Sequence, residues 1–83
     1  MEVKIFWQEN CARCPPAKEL GEQLQSLGHN VHFCNVKNIH GRKEAIYHDI
    51  LSTPSIVITD ELNKEIKVWR NITPTIDEVK LFL

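Results

Sequence analysis

The stretch VKIFWQENCARCPP at residues 3–16 decides the fold of this 83-residue chain. Residues 3–7 form a short, largely apolar run bounded by the polar residues 8–10, which predicts a central strand buried on both faces. Beyond the two cysteines, apolar residues recur at the three- and four-residue spacing of an amphipathic helix, namely Ala17, Leu20, Leu24 and Leu27, and the pattern stops at Gly28. The stretch therefore predicts a buried strand, a cysteine-containing turn and a helix.

The cysteines are placed by the two prolines that follow them. Pro15 and Pro16 are tolerated only in the first turn of a helix, where backbone N–H groups have no intrahelical partner, so Cys11 and Cys14 are predicted at the helix N-terminus. Unpaired N–H groups and the positive end of the helix dipole favour a thiolate there. Cys11 is the expected thiolate, and the nearby cation Arg13 is a candidate for tuning its pKa.

Strand and helix patterns alternate along the rest of the chain. The predicted strands cover residues 31–36, 55–59 and 66–68, with a weaker helix at residues 41–51 and a last helix capped by Thr75. The inward positions expected of the weaker helix are Ala45, Ile46, Ile50 and Leu51. The order βαβαββα predicts an α/β fold, a four-stranded mixed sheet with helices on both faces, in a single domain spanning residues 1–83.

Charge and composition exclude several classes of partner. Ten Lys and Arg against eleven Asp and Glu give a net charge of −1, which supports neither a nucleic-acid nor a membrane-surface role. No apolar run approaches the roughly 18 residues of a membrane span. The opening MEVKI lacks the basic-then-apolar layout of a signal peptide, so we expect a cytoplasmic protein. We also expect a monomer. In that reducing compartment, a close cysteine pair is catalytic or metal-binding.

Three interpretations of the cysteine pair are open: dithiol redox chemistry, half of a metal site, or an inert structural pair. Zinc sites usually combine two such pairs, or one pair with two closely spaced histidines. The other candidate ligands lack that pattern, and they are Cys34, His29, His32, His40 and His48. Redox chemistry is favoured, and a metal-binding or metal-trafficking module using Cys11 and Cys14 is the alternative. Cys34 is expected to be a small buried hydrophobe, and the histidines are expected at the surface.

The chain resembles the thioredoxin and glutaredoxin superfamily through CARCP at residues 11–15 and STPS at residues 52–55. The resemblance implies a thioredoxin-like fold, a cis peptide bond before Pro54, and a substrate chain that pairs with the backbone of Thr53. It also implies thiol-disulfide exchange, in which Cys11 attacks the target disulfide and Cys14 resolves the mixed disulfide. Two sulfurs hold the electrons, so no metal or other cofactor is expected.

Departures from both subfamilies bear on the electron donor. Thioredoxins carry Trp directly before the first cysteine and a buried Asp six positions before it, where this chain has Asn10 and Ile5. Glutaredoxins hold glutathione with a Gly-Gly pair after the fourth strand, where residues 70–73 read RNIT. We therefore expect disulfide-containing protein substrates and a protein reductase as the donor. Glutathione is disfavoured, although Arg70 could bind one of its carboxylates.

Overall fold

Four strands form one mixed sheet in the computed structural model, which describes residues 1–83. They are β1 (Glu2–Trp7), β2 (Val31–Asn35), β3 (Ser55–Thr59) and β4 (Glu65–Arg70), in the order β2-β1-β3-β4. β1 is parallel to β2 and antiparallel to β3, and β3 is antiparallel to β4. The predicted α/β class and central first strand are confirmed. β3 is also central, and all five of its residues are buried.

Three helices cover the two faces of the sheet. They are α1 (Pro15–Ser26), α2 (Ile39–Tyr47) and α3 (Ile76–Lys80). The predicted cap of α3 is present as a capping box, in which the Thr75 side chain accepts from the backbone N–H of Glu78 and the Glu78 carboxylate accepts from that of Thr75. None of the helices has the length and hydropathy needed to cross a membrane.

Alternation along β1 divides the core into two layers. Val3 and Ile5 lie on the face covered by α1 and α3, where they pack with Leu24, Ile56 and Val79. The opposite face, under α2, contains a second apolar cluster made by Phe6, Cys34, Ala45, Ile50 and Val57. Helices on both faces were predicted from the element order, and the two clusters show what each face buries.

The second helix differs from its prediction. It begins at Ile39 and ends at Tyr47, and two of the four expected inward residues, Ile46 and Leu51, are 73% and 92% exposed. A Cβ at Gly41 would collide with the backbone of Asn35 at the end of β2, so the helix packs closely through Gly41 and Ala45, one turn apart. That contact turns Ile46 outward.

His48 is buried, so the prediction that all histidines lie at the surface is wrong. It is 1% exposed and lies beside Lys4, which is 3% exposed at the centre of β1. The Lys4 ammonium donates to Glu44 Oε2 at 2.6 Å and to His48 Nε2 at 3.0 Å. Nε2 is therefore the acceptor, and Nδ1 carries the hydrogen that is donated to Glu65 Oε2 at 2.7 Å. The hydrogen bonds to Glu44 and His48 compensate the cost of burying the Lys4 ammonium in a central strand.

Candidate active site

Cys11 and Cys14 form a disulfide in the turn between β1 and α1. Their Cα atoms are 5.4 Å apart, and the backbone N–H of Cys14 donates to the carbonyl oxygen of Cys11 at 3.2 Å. Cys14 is the N-cap residue of α1 and is 2% exposed, whereas Cys11 is partly exposed. A partner molecule can therefore reach the sulfur of Cys11 more readily than that of Cys14.

The N-terminus of α1 offers fewer hydrogen-bond donors than the sequence led us to expect. The first two helical residues are Pro15 and Pro16, neither of which has a backbone N–H, and the side chain of Cys14 makes no capping hydrogen bond. Two of the amide donors that could face a thiolate are thus missing. The same prolines that place the cysteines at the start of the helix thus reduce the number of backbone N–H groups that can donate hydrogen bonds to a thiolate.

Thr53 and Pro54 lie beside the disulfide, as the family resemblance implied. The peptide bond between them is cis, which confirms that prediction, and Pro54 is buried. The Cys11 sulfur is 3.8 Å from the carbonyl oxygen of Thr53 and 3.6 Å from its hydroxyl. The fold thus brings residues 42 positions apart in the chain together at the exposed sulfur.

Gln8 completes a chain of contacts at the exposed sulfur. It follows the last residue of β1, and its amide Nε2 donates to Thr53 Oγ1 at 2.9 Å. The Thr53 hydroxyl is in turn placed to donate to the Cys11 sulfur. Sequence reasoning treated Gln8 only as part of a polar boundary. Its place three residues before Cys11, at the end of a central strand, was the available signal.

Arg13 binds the loop between β4 and α3. Its guanidinium donates to the side-chain oxygen of Asn71 at 3.2 Å and to the backbone oxygen of the same residue at 2.7 Å. Asn71 has a φ of 60° and donates its backbone N–H to Ser55 Oγ at 3.0 Å, which anchors the loop to the first residue of β3. Arg13 is therefore close to the cysteines in sequence and fixed to a second loop in space.

Arg70 is engaged by the segment that follows α2. Its guanidinium donates to the backbone oxygens of His48 at 2.9 Å and Asp49 at 3.1 Å. These two hydrogen bonds hold Arg70 on the α2 face of the sheet. A glutathione carboxylate would have to compete with them or use the remaining donors of the guanidinium.

A slot of about 180 Å³ opens between α2 and the turn that precedes Cys11. Gln8 and Thr53 form its side nearest the disulfide, and Arg42 is its charged residue. Its remaining lining is mainly apolar and consists of Val36, Ala45, Ile46, Ile50, Leu51 and the polar Ser52. The exposed apolar side chains of α2 and of the residues after it thus continue up to Thr53.

Cys34 lies apart from this site, within the apolar layer under α2. Burial, with a further contribution from Glu44, raises the pKa of its thiol to about 11. A larger pocket of about 770 Å³ opens at the other end of the sheet, and its lining includes Cys34 and two histidines. No group of three or more His, Cys, Asp and Glu side chains is arranged to hold a metal ion. The metal-binding alternative is not favoured.

Similarity to known proteins is found at the level of structure. No protein-family model and no curated sequence matches the chain. Thioredoxin 1 from Thermosipho africanus superimposes with a TM-score of 0.73 at 19% identity, covering 95% of this chain and 85% of its own. The thioredoxin-like protein BC3987 gives a TM-score of 0.62 at 23% identity, with coverages of 98% and 99%. A thioredoxin from Thermus thermophilus gives a TM-score of 0.65 at 16% identity, covering 98% of this chain and 69% of its own. The chain therefore has a thioredoxin-like fold that carries a Cys11–Cys14 pair.

Proposed function

We propose that this protein is a thiol-disulfide oxidoreductase that reduces disulfides in other proteins. The observation that carries the proposal is the Cys11–Cys14 disulfide at the start of α1, with Thr53 beside the Cys11 sulfur. A thiol redox role in general follows from this pair in a thioredoxin-like fold. The direction of the reaction and the substrate class are our proposal.

The proposed reaction moves two electrons from the protein dithiol to the substrate. The Cys11 thiolate attacks one sulfur of the target disulfide, which forms a mixed disulfide and releases the other target sulfur as a thiolate. Cys14 then loses its proton and attacks the Cys11 sulfur, which breaks the mixed disulfide and releases the second target thiolate. The target thiolates take up protons from solvent. The protein is left with the Cys11–Cys14 disulfide.

The difference in exposure supports this division of labour. Attack on a foreign disulfide needs an accessible sulfur, and Cys11 is the partly exposed member of the pair. Resolution needs only intramolecular contact, and Cys14 is 2% exposed and within bonding distance of Cys11. Thr53 is proposed to pair its backbone with the substrate chain, because its carbonyl oxygen lies 3.8 Å from the Cys11 sulfur.

The surroundings of the disulfide support a polypeptide substrate. Ile46 and Leu51 are exposed beside the slot that ends at Thr53, and Ile72 is exposed in the loop that Arg13 holds. Exposed apolar side chains on two sides of a reactive sulfur favour contact with another chain over contact with a small charged thiol.

We propose that the protein acts in the cytoplasm as a monomer and is re-reduced by a protein reductase.

The proposal is tested by a coupled assay in which NADPH and a purified thioredoxin reductase drive the reduction of insulin. We expect turnover that depends on the added protein and disappears in Cys11→Ser. Ala12→Ser, which leaves both sulfurs in the same turn, is the matched control and should retain most of the activity. If the reduced protein fails to cleave insulin disulfides even when it is supplied in stoichiometric amounts, the proposed function is wrong.

A further inference from the structure

The hydrogen bonds around the Cys11 sulfur have a defined direction. A hydroxyl has a single hydrogen and two acceptor sites, so the Thr53 hydroxyl can donate to only one partner at a time. An amide nitrogen of Gln8, which can only donate, occupies one of its acceptor sites at 2.9 Å. The hydrogen of the hydroxyl is therefore free to point at the Cys11 sulfur, 3.6 Å away.

This contact matters because the start of the helix offers fewer hydrogen-bond donors at the same place. Pro15 and Pro16 remove two amide donors from the start of α1. A hydrogen bond donated to a thiolate stabilises the charged form, and charge-assisted hydrogen bonds are about twice as strong as neutral ones. The Thr53 hydroxyl can thus supply part of the stabilisation that the prolines remove.

We propose that Gln8 is a positioning residue of the redox site, which holds the Thr53 hydroxyl so that its hydrogen is donated to the thiolate of Cys11. Gln8 does not touch the reacting sulfur and acts through Thr53. The inference rests on the proposed function for its biological meaning. The distances are those of the disulfide form, and the relay is proposed for the reduced protein, where it needs no substrate.

The test is the pH dependence of Cys11 alkylation in the reduced protein, followed peptide by peptide by mass spectrometry. We expect Gln8→Ala to move the midpoint of the profile upward by about half a pH unit, and Thr53→Val to move it by as much or more. Thr53→Ser, which keeps the hydroxyl, should restore most of the wild-type midpoint. Gln25→Ala, the same substitution on the exposed face of α1, should leave the midpoint unchanged.

The double variant distinguishes a relay from two independent effects. If Gln8 acts through Thr53, then Gln8→Ala changes nothing further in the Thr53→Val background, because the hydroxyl it orients is gone. Gln8→Glu provides a second check, since a carboxylate accepts the hydroxyl hydrogen and turns it away from the sulfur. Gln8→Glu should raise the midpoint of Cys11 alkylation more in the wild-type background than in the Thr53→Val background, where only the added negative charge acts.

Additive shifts in the double variants, or an unchanged midpoint in Gln8→Ala with its fold intact by circular dichroism, would overturn the proposal. Neither result depends on whether the protein reduces disulfides, because alkylation needs no substrate. Conversely, a relay that is present in a protein without reductase activity would leave this inference standing and remove the proposed function.

Discussion

The Arg13 guanidinium donates to two oxygens of Asn71, to the side-chain oxygen at 3.2 Å and to the backbone oxygen at 2.7 Å. The turn that carries the cysteines is thereby tied to the loop between β4 and α3, which is itself anchored to β3 through Ser55. Three segments that are far apart in the sequence are fixed around one disulfide. The charge of Arg13 and its hydrogen bonds to Asn71 are separable by substitution, and they predict different effects.

Arg13→Gln removes the cation, and Arg13→Lys keeps it but loses the fork that reaches both oxygens of Asn71. If the positive charge stabilises the Cys11 thiolate, Arg13→Gln should move the midpoint of Cys11 alkylation upward by about half a pH unit, and Arg13→Lys should not move it. Both variants should reduce protein disulfides more slowly, since each loosens the loop. Equal midpoints in all three proteins would contradict the charge effect and leave Arg13 a purely structural contact.

The two cysteines should behave differently when each is replaced by serine. Cys11→Ser should abolish disulfide reduction, because the accessible nucleophile is lost. In Cys14→Ser, the Cys11 thiolate should still attack a target disulfide, and the protein should then remain joined to the target because no second cysteine resolves the mixed disulfide. A non-reducing gel shift that is reversed by dithiothreitol measures the trapped species. Alkylation of Cys14 before Cys11 near pH 6 to 7 in the reduced wild type would reverse the assignment.

Local patterns in the sequence were sufficient for most of the architecture. The run at residues 3–7, the spacing after Cys14 and the cap at Thr75 each specify their element through contacts between near neighbours. The cis bond before Pro54 followed from the resemblance at residues 52–55. These features need no knowledge of what lies across the sheet.

Features that depend on distant contacts could not be obtained in this way. The contact of Gly41 with the backbone of Asn35 sets which face of α2 lies inward, and nothing in the pattern of residues 41–51 shows that its single glycine lies against a strand. His48 is buried only because Lys4 and Glu65 reach it from two other elements. At the site, likewise, Gln8 gains its role through Thr53, 45 positions away.

The buried network on the α2 face predicts a large effect for Lys4. Lys4→Met removes the donor to His48 Nε2, Glu44 and Asn63, and it leaves the buried Nε2 without a partner, whereas Glu44 and Asn63 are partly exposed. Losing one member of a buried polar network should lower the free energy of unfolding by about 2–4 kcal/mol. Urea unfolding followed by circular dichroism measures the change. Lys37→Met, at an exposed lysine whose side chain has no partner, should change it by less than about 0.5 kcal/mol, and equal effects would contradict the network's role.

Cys34 should be inert in the folded protein. Burial raises the pKa of its thiol to about 11, so at pH 8 only about one molecule in a thousand carries the thiolate. In the oxidised protein Cys34 is the only free thiol, which makes iodoacetamide alkylation a direct measure. We expect slow labelling that speeds up sharply in denaturant, and rapid labelling of the native protein at pH 8 would contradict burial.

The same shift has a defined effect on stability at high pH. In the unfolded chain the Cys34 thiol has its ordinary pKa of 9.0, whereas in the folded chain burial raises that pKa to about 11, so the thiol keeps its proton to higher pH. Between these values the unfolded state gains stability by losing the proton, so the folded state becomes less stable as the pH rises. Relative to Cys34→Ala, the wild type should lose unfolding free energy over this range. A pH-independent difference between the two proteins would contradict the raised pKa.

Which electron donor is more efficient depends on how well the loop after β4 can bind the carboxylates of glutathione. Glutathione carries two carboxylates, and a Gly-Gly turn binds one by letting backbone N–H groups approach closely. Here the loop has Asn71 and Ile72 in place of small residues, Pro74 has no N–H, and Arg70 is held by the backbone oxygens of the segment after α2. We therefore expect a protein reductase to be the more efficient donor.

The measurement supplies NADPH with either glutathione and glutathione reductase or a purified thioredoxin reductase, at matched concentrations of this protein and of insulin. The reductase-driven rate should exceed the glutathione-driven rate by about tenfold or more, since losing about 1.4 kcal/mol of transition-state binding at one carboxylate slows the reaction with glutathione tenfold. Replacing Asn71-Ile72 by Gly-Gly should raise the glutathione-driven rate, since it clears the approach to the backbone N–H groups, although it also removes the side-chain oxygen that Arg13 contacts. A glutathione-driven rate that clearly exceeds the reductase-driven one would place glutathione, and not a protein, as the donor.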